Sequence, residues 1–186
     1  MSSPKTRPRR AGQAHEGLCS DHLRRVAQLS AAIGARLGLR SAALSTLWAG
    51  ALLHDIGKLG VDASILAKPG RLTAEEYEAV QRHTLIGEWI ARAHTGDLAV
   101  ARVVRHHHER WDGLGYPDSL RAQAIPLGAR IVAVADAFDA MTTQRPYNQP
   151  LTPAEAASTL ADGAGAFWDP RIVAALGAHL AAAGSA

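Results

Sequence analysis

One cysteine, Cys19, is all the thiol chemistry that this chain of 186 residues contains. That excludes an internal disulfide and any thiolate-rich zinc or iron–sulfur centre, and it fits a reducing cytoplasm. Long apolar runs are also missing. None reaches membrane-spanning length, and no apolar stretch follows the basic start as a secretion signal would require. No alternating strand pattern and no internal repeat occur. Acid is absent from the first ten residues, which hold Lys5, Arg7, Arg9 and Arg10. Without those four, 16 basic residues face 17 acidic ones, so the net charge of +3 belongs to the tail. Such a tail can attract nucleic acid or an anionic surface. A solvated disordered end explains it more simply, and no specific nucleic-acid binding is expected.

What is present is an ordinary globular composition, 47% hydrophobic and 20% charged, on a chain long enough to bury one core. Residues 1–17 read as a disordered basic tail and residues 18–186 as one domain. Val26, Leu29, Ile33 and Leu37 make one apolar stripe, which predicts a helix from Asp21 to Leu37. Ser41 is placed to cap a second helix carrying Leu44, Leu47, Trp48, Ala51 and Leu52 and ending at Gly57. Thr73 and Glu76 form a capping-box pattern. His83 and Thr84 open a helix expected to turn Ile86, Trp89 and Ile90 inward, and another spans Gly96 to His108. Residues 109–126 form a shaped loop rich in glycine and proline. Pro126 precedes an apolar helix from Leu127 to Met141. Thr152-Pro153 and Asp169-Pro170 each join a cap to a proline at the first helical position, which starts the last two helices. The fold class is all-α, a compact single-domain helical bundle.

Polar residues interrupt these apolar helices at particular places. His54 and Asp55 stand at the end of one, and Asp136 lies in Ile131-Val-Ala-Val-Ala-Asp136. A buried lone carboxylate costs several kcal/mol unless it meets a cation. For one such Asp, a core ion pair or a cap is a sufficient account. His22, His83, His107 and His108 taken singly also read as surface or capping residues. Together they offer several imidazoles and carboxylates without thiolate, a donor set for iron(II), manganese(II), zinc(II), cobalt(II) or nickel(II). That is too many donors for one tetrahedral ion and enough for two that share a carboxylate.

His54-Asp-Ile-Gly-Lys58, His107-His-Glu-Arg-Trp-Asp-Gly-Leu-Gly-Tyr-Pro117, Ile125-Pro, Asp136-Ala-Phe-Asp-Ala-Met-Thr142, Arg145-Pro-Tyr147 and Phe167-Trp-Asp-Pro170 are similar to the HD-GYP family. That family comprises cyclic di-GMP phosphodiesterases within the HD metal-dependent phosphohydrolases, and the likeness covers about residues 18 to 180. It implies a binuclear centre, with iron or manganese foremost and zinc, cobalt or nickel as alternatives. One ion would be held by His22, His54, Asp55 and Asp136. The other would be held by Asp55, His83, His107 and His108, with Asp55 bridging. It further implies a hydroxide nucleophile between the ions and a phosphate-facing Lys58, so that Asp55 and Lys58 are the catalytic pair. Substrate contacts would come from Lys58, Arg145, Gly115, Tyr116 and Pro117. Asp139, Glu109 and Asp112 would stand behind the ligands. The Gly-Tyr-Pro loop is linked in the family to substrate and to GGDEF-type signalling partners.

Two positions depart from the family pattern. Where some members carry a third-metal Glu, this chain has Leu18, which cannot ligate, so two ions are expected unless Glu16 or Asp21 substitutes. Asn148-Gln149 stands where a basic residue is usual. His106 is expected behind the ligands or exposed, and His15, His94 and His179 on the surface or in packing. The expected function is hydrolysis of cyclic di-GMP to pGpG, with further conversion to GMP left open, in bacterial second-messenger signalling. Two other readings stay open. One is a phosphohydrolase of a related cyclic dinucleotide or nucleotide. The other is a catalytically weak module that binds cyclic di-GMP or docks a partner.

Overall fold

The computed structural model describes residues 20–144 and 149–183. The expected tail, Glu16, Leu18 and the Arg145–Asn148 stretch lie outside the described residues. Among the described residues nine α-helices follow one another: α1 Ser20–Arg36, α2 Ala42–Leu53, α3 Ala63–Ala67, α4 Ala74–Gln81, α5 His83–Thr95, α6 Leu98–His106, α7 Leu127–Thr142, α8 Pro153–Asp162 and α9 Pro170–Ala183. Short 3-10 turns occupy Ile56–Gly60 and Ala122–Ala124. The described residues contain no strand, only an isolated bridge between Ala164 and Trp168. The all-α expectation therefore holds.

Helix α7 is the centre of the bundle, with α1, α2, α6, α8 and α9 packed around it. Its Ile131, Val132, Val134 and Ala135 are fully buried against Val26, Ile33, Leu47, Leu160, Ile172 and Leu176. Each large aliphatic side chain buried in this way contributes about 1.5–3 kcal/mol. A smaller cluster of Ala91, Val100, Ala101 and Val104 joins α5 to α6.

Capping explains several boundaries. The Thr73–Glu76 and Thr152–Glu155 capping boxes both form, and Asp169 accepts the Arg171 N–H at 2.9 Å. Asp97 caps α6 through the Ala99 N–H at 2.7 Å, so that helix starts at Leu98, and it ends at His106 rather than His108. Ser41 does not cap α2 with its side chain. Its φ of 43° is outside the extended range that a capping serine adopts. Helix α2 stops at Leu53 instead of Gly57, and a 3-10 turn carries the chain onward. Trp89, expected inward, is 72% exposed. Gly87 and Ala91, both small, form the buried line of α5 instead. Trp48 is also at the surface.

The loop of residues 109–126 is strapped down from two sides. The N–H groups of Trp111 and Asp112 donate to the carbonyls of Phe167 and Ala166 at 3.2 and 2.9 Å. The Arg110 guanidinium lies 3.9 Å from the Phe167 ring centroid. Buried Asp169 accepts from Arg130 of α7 at 2.6 Å. The Phe167–Pro170 stretch thus anchors the loop to the bundle.

Candidate metal centre

Two groups of donors converge at one end of the bundle: Asp55, His83, His107 and His108 in one, and His22, His54 and Asp136 in the other. They come from α1, the end of α2, α5, the end of α6 and α7. The close approach behind this is at Gly57. A Cβ there would lie 1.9 Å from the His83 carbonyl oxygen, so only glycine lets the 3-10 turn seat Asp55 beside α5.

Three of the imidazoles are oriented by their own backbone. His54, His83 and His107 each place Nδ1 on the carbonyl three residues earlier, those of Ala51, Val80 and Val104, at 2.7, 2.6 and 2.7 Å. A carbonyl can only accept, so Nδ1 carries the proton and Nε2 presents a lone pair. His22 Nδ1 donates instead to Asp139 Oδ2 at 2.7 Å. Arg25 donates to that carboxylate from Nε at 2.5 Å and from Nη2 at 3.0 Å. Nothing in the sequence pattern had singled out Arg25. Its spacing three residues after His22 was the signal available.

The lone pairs face carboxylates. His54 Nε2 is 3.3 Å from Asp55 Oδ2 and 4.0 Å from Asp136 Oδ1. His83 Nε2 and His107 Nε2 are 3.4 and 3.9 Å from Asp55 Oδ1. His22 Nε2 is 3.5 Å from Asp136 Oδ1. Acceptor facing acceptor is unfavourable, and buried His54 Nε2 has no hydrogen-bond partner among the described residues, a deficit worth about 1–3 kcal/mol. A divalent cation turns each of these oppositions into an attraction. The separations suit atoms that share an ion at about 2.0–2.2 Å. The donor set therefore fits a metal.

The electrostatics agree. Burial, reinforced by His54 and His83, pushes the His107 pKa well below its ordinary value. Burial lowers that of His83 to about 4. Both rings are the neutral imidazoles that ligation requires. At His54 burial acts in the same direction, but Asp55 and then Asp136 outweigh it and raise the pKa. Asp55 stays ionised, far below the usual carboxylate range. Burial opposes this, and Lys58 and His54 overcome it. Asp139 is held at about 2 because His22 and Arg25 outweigh its burial.

Lys58 is buried, with Nζ 2.6 Å from Asp55 Oδ2. Tyr116 packs its ring 4.9 Å from that of His108, and Gly115 folds back so tightly that a Cβ would meet the Arg110 nitrogen at 2.3 Å. Tyr116 is joined to Pro117 by a cis peptide. Glu109 accepts the N–H groups of Asp118 and Leu120 at 2.7 and 3.1 Å. Asp112 pairs with Arg110 and accepts from the Leu114 N–H at 3.0 Å. Glu109 and Asp112 thus brace the loop, while Asp139 braces an imidazole. His106 is buried with Nε2 3.2 Å from Asp118. His94 is exposed and His179 half-buried. Arg145 and His15 lie outside the described residues.

The model of the HD domain family matches residues 11–172. A cyclic di-GMP phosphodiesterase of Thermotoga maritima is 42% identical over 154 residues, which are 82% of this chain and 42% of that protein. A 3′3′-cGAMP-specific phosphodiesterase of Vibrio cholerae is 36% identical over 160 residues, 85% of this chain and 31% of that protein. The chain therefore spans less than half the length of these relatives. A crystal structure of a cyclic GMP-AMP specific phosphodiesterase from V. cholerae superposes with a TM-score of 0.74, over 92% of this chain and 46% of that one, at 23% identity. That likeness is one of fold. No helix among the described residues is long and apolar enough to cross a membrane.

Proposed function

The chain belongs to the HD domain family, in the HD-GYP branch that its motifs resemble, and from that premise we propose that it is a metal-dependent phosphodiesterase of cyclic dinucleotides, with cyclic di-GMP foremost. The observation that carries this is Asp55. Its Oδ1 faces His83 and His107, and its Oδ2 faces His54, so one carboxylate addresses both donor groups. One ion is assigned to His22, His54, Asp136 and Asp55, and the other to Asp55, His83, His107 and His108. Iron or manganese suits this set of nitrogen and oxygen donors. Divalent ions bound here would supply charge stabilisation on phosphate oxygens and bring the pKa of water toward neutrality.

The remaining roles belong to the chain. The Nδ1 hydrogen bonds keep four imidazoles aimed inward. The buried Lys58 ammonium beside Asp55 is the charge that stabilises the phosphoryl oxygens as the bond to the ribose 3′ oxygen breaks. Water supplies the new oxygen on phosphorus, and the product is linear pGpG. Arg145 is assigned a phosphate contact, for which an arginine fork is suited. Tyr116, on the ring of His108, borders the nucleotide side of the centre, with Gly115 and Pro117 shaping its loop. GGDEF-type partners and a cytoplasmic setting belong to the same reading.

The test is anaerobic purification with metal analysis, then chromatographic time courses on cyclic di-GMP and 3′3′-cGAMP. Accumulating pGpG, faster than any product from 3′3′-cGAMP, is the expected result. The relative specific for 3′3′-cGAMP gives the second substrate its place, and faster turnover of it would move the reading to that nucleotide. Binding of either nucleotide by a fully metallated chain without any product would establish a binding module instead.

A further inference from the structure

His54, His83 and His107 are held alike, by carbonyls of their own segments, and His22 is held differently. In the Asp55–His83–His107–His108 group, His83 and His107 are oriented by carbonyls of their own chain segments. In the His22–His54–Asp136 group, His22 is oriented by a side chain from another helix, Asp139 of α7. That carboxylate is itself gripped by a fork from α1, with Arg25 Nε on Oδ1 and Nη2 on Oδ2. His22 and Arg25 are three residues apart and lie on one side of α1. Both close on the same buried carboxylate. His22 Nε2 then points at Asp136, 3.5 Å away.

We infer that Arg25 is a positioning residue that sets the affinity of one metal position and not of the other. Through Asp139 it keeps the His22 ring aimed at the His54–Asp136 side, so that position depends on the α1–α7 contact. At the Asp55–His83–His107–His108 position, His83 and His107 are held by carbonyls of their own segments, away from Arg25 and Asp139. The two positions therefore depend unequally on the α1–α7 contact. The inference rests on the two-ion reading and is independent of which dinucleotide is hydrolysed.

Calorimetric titration of the metal-free chain with Mn²⁺ tests it, with thermal unfolding of the same metal-free samples alongside. The wild-type chain shows two binding steps. Arg25→Gln weakens one step by about 10- to 100-fold, the usual loss when a group behind a metal ligand is removed, and leaves the other step unchanged. Arg25→Lys keeps the charge without the fork and recovers only part of the loss. Asp139→Asn reproduces the selective weakening. Two wild-type steps that Arg25→Gln leaves alone or weakens equally overturn the inference while the two-ion reading stands. So does a loss that Arg25→Lys restores in full along with the melting temperature, because the role is then one of holding helices together. A single wild-type step overturns the two-ion reading itself.

Discussion

Gly57 rests directly on the backbone of His83, with room for a hydrogen and nothing larger. A Cβ on Gly57 would also stand 2.5 Å from the Gly87 nitrogen. Both obstacles are main-chain atoms of α5 and cannot rotate away. Gly57→Ala therefore forces the 3-10 turn off the helix, at a cost at or above the roughly 1–3 kcal/mol usual for overpacking. The same displacement separates Asp55 from His83. The expected outcome is a lower melting temperature together with reduced metal content per chain. A variant that keeps both at wild-type levels would show that the contact is dispensable.

This contact also shows which parts of the molecule were legible in the sequence. The helix caps at Thr73, Thr152 and Asp169 were readable because their partners are two or three residues away. The gathering of His22, His54, His83, His107 and Asp136 is suggested by their shared donor chemistry and assigned by family likeness, since no local rule brings residues from five segments together. Trp89 was misplaced because a large apolar side chain outweighed small neighbours in the periodicity. The structure shows that Gly87 and Ala91 form the buried line, which lets α5 pack closely. The Arg25–Asp139 clamp was hidden because its two ends are 114 residues apart. Glu109 looked like a residue behind the ligands because it adjoins His108, yet its carboxylate turns to the loop.

Asp55→Ala removes a carboxylate that faces both donor groups. It also leaves Lys58 buried without its partner, a change that costs about 3–5 kcal/mol when a buried pair is broken. Asp55→Asn is the cleaner probe because it keeps the shape and one acceptor. Both variants are expected to lose at least half of the bound metal by elemental analysis and to show no dinucleotide turnover. Wild-type turnover by either under limiting metal would contradict the bridging role.

The metal-free chain should lose stability on mild acidification. Burial holds the His83 pKa at about 4, against about 6.5 in an unfolded chain. Between those values the unfolded state binds a proton that the folded state refuses, so stability falls as pH falls through that window. For His83 alone the loss is roughly 3 kcal/mol, and the lowered His107 acts in the same direction. His54, raised, opposes them: its contribution is present below 6.5 and fades as pH rises through its folded value. Asp139, held at about 2, keeps its contribution until pH drops below the ordinary carboxylate range and loses it on approach to 2. Urea midpoints from pH 7 to 4.5 should decline, and His83→Gln should flatten the decline. An unchanged slope in that variant would assign the acid sensitivity elsewhere.

Glu109→Ala strips two loop N–H groups, those of Asp118 and Leu120, of their acceptor. Unmet donors cost about 1–3 kcal/mol each where water cannot replace the acceptor. The loop that carries Tyr116 should loosen while the imidazoles keep their own supports. The expected signature is a raised KM for the dinucleotide with unchanged metal stoichiometry. Loss of metal in this variant would mean that Glu109 supports the ligands after all.

Lys58 separates binding of metal from use of it. Its ammonium lies on Asp55 Oδ2, the oxygen that also faces His54. A cation held by His54 and Asp55 would compete with Lys58 for that oxygen, and Nζ would then be available to a phosphate beside it. Lys58→Met removes the ammonium on Asp55 and, on the proposed reading, the charge that meets the phosphate. Metal affinity should therefore hold or rise, while kcat falls by roughly 100-fold, the scale on which a positioned charge stabilises a transition state. If Lys58 only neutralises Asp55 in the metal-free protein, the variant will bind metal more tightly and turn over normally. Metal titration and kcat measured on the same preparation decide between these outcomes.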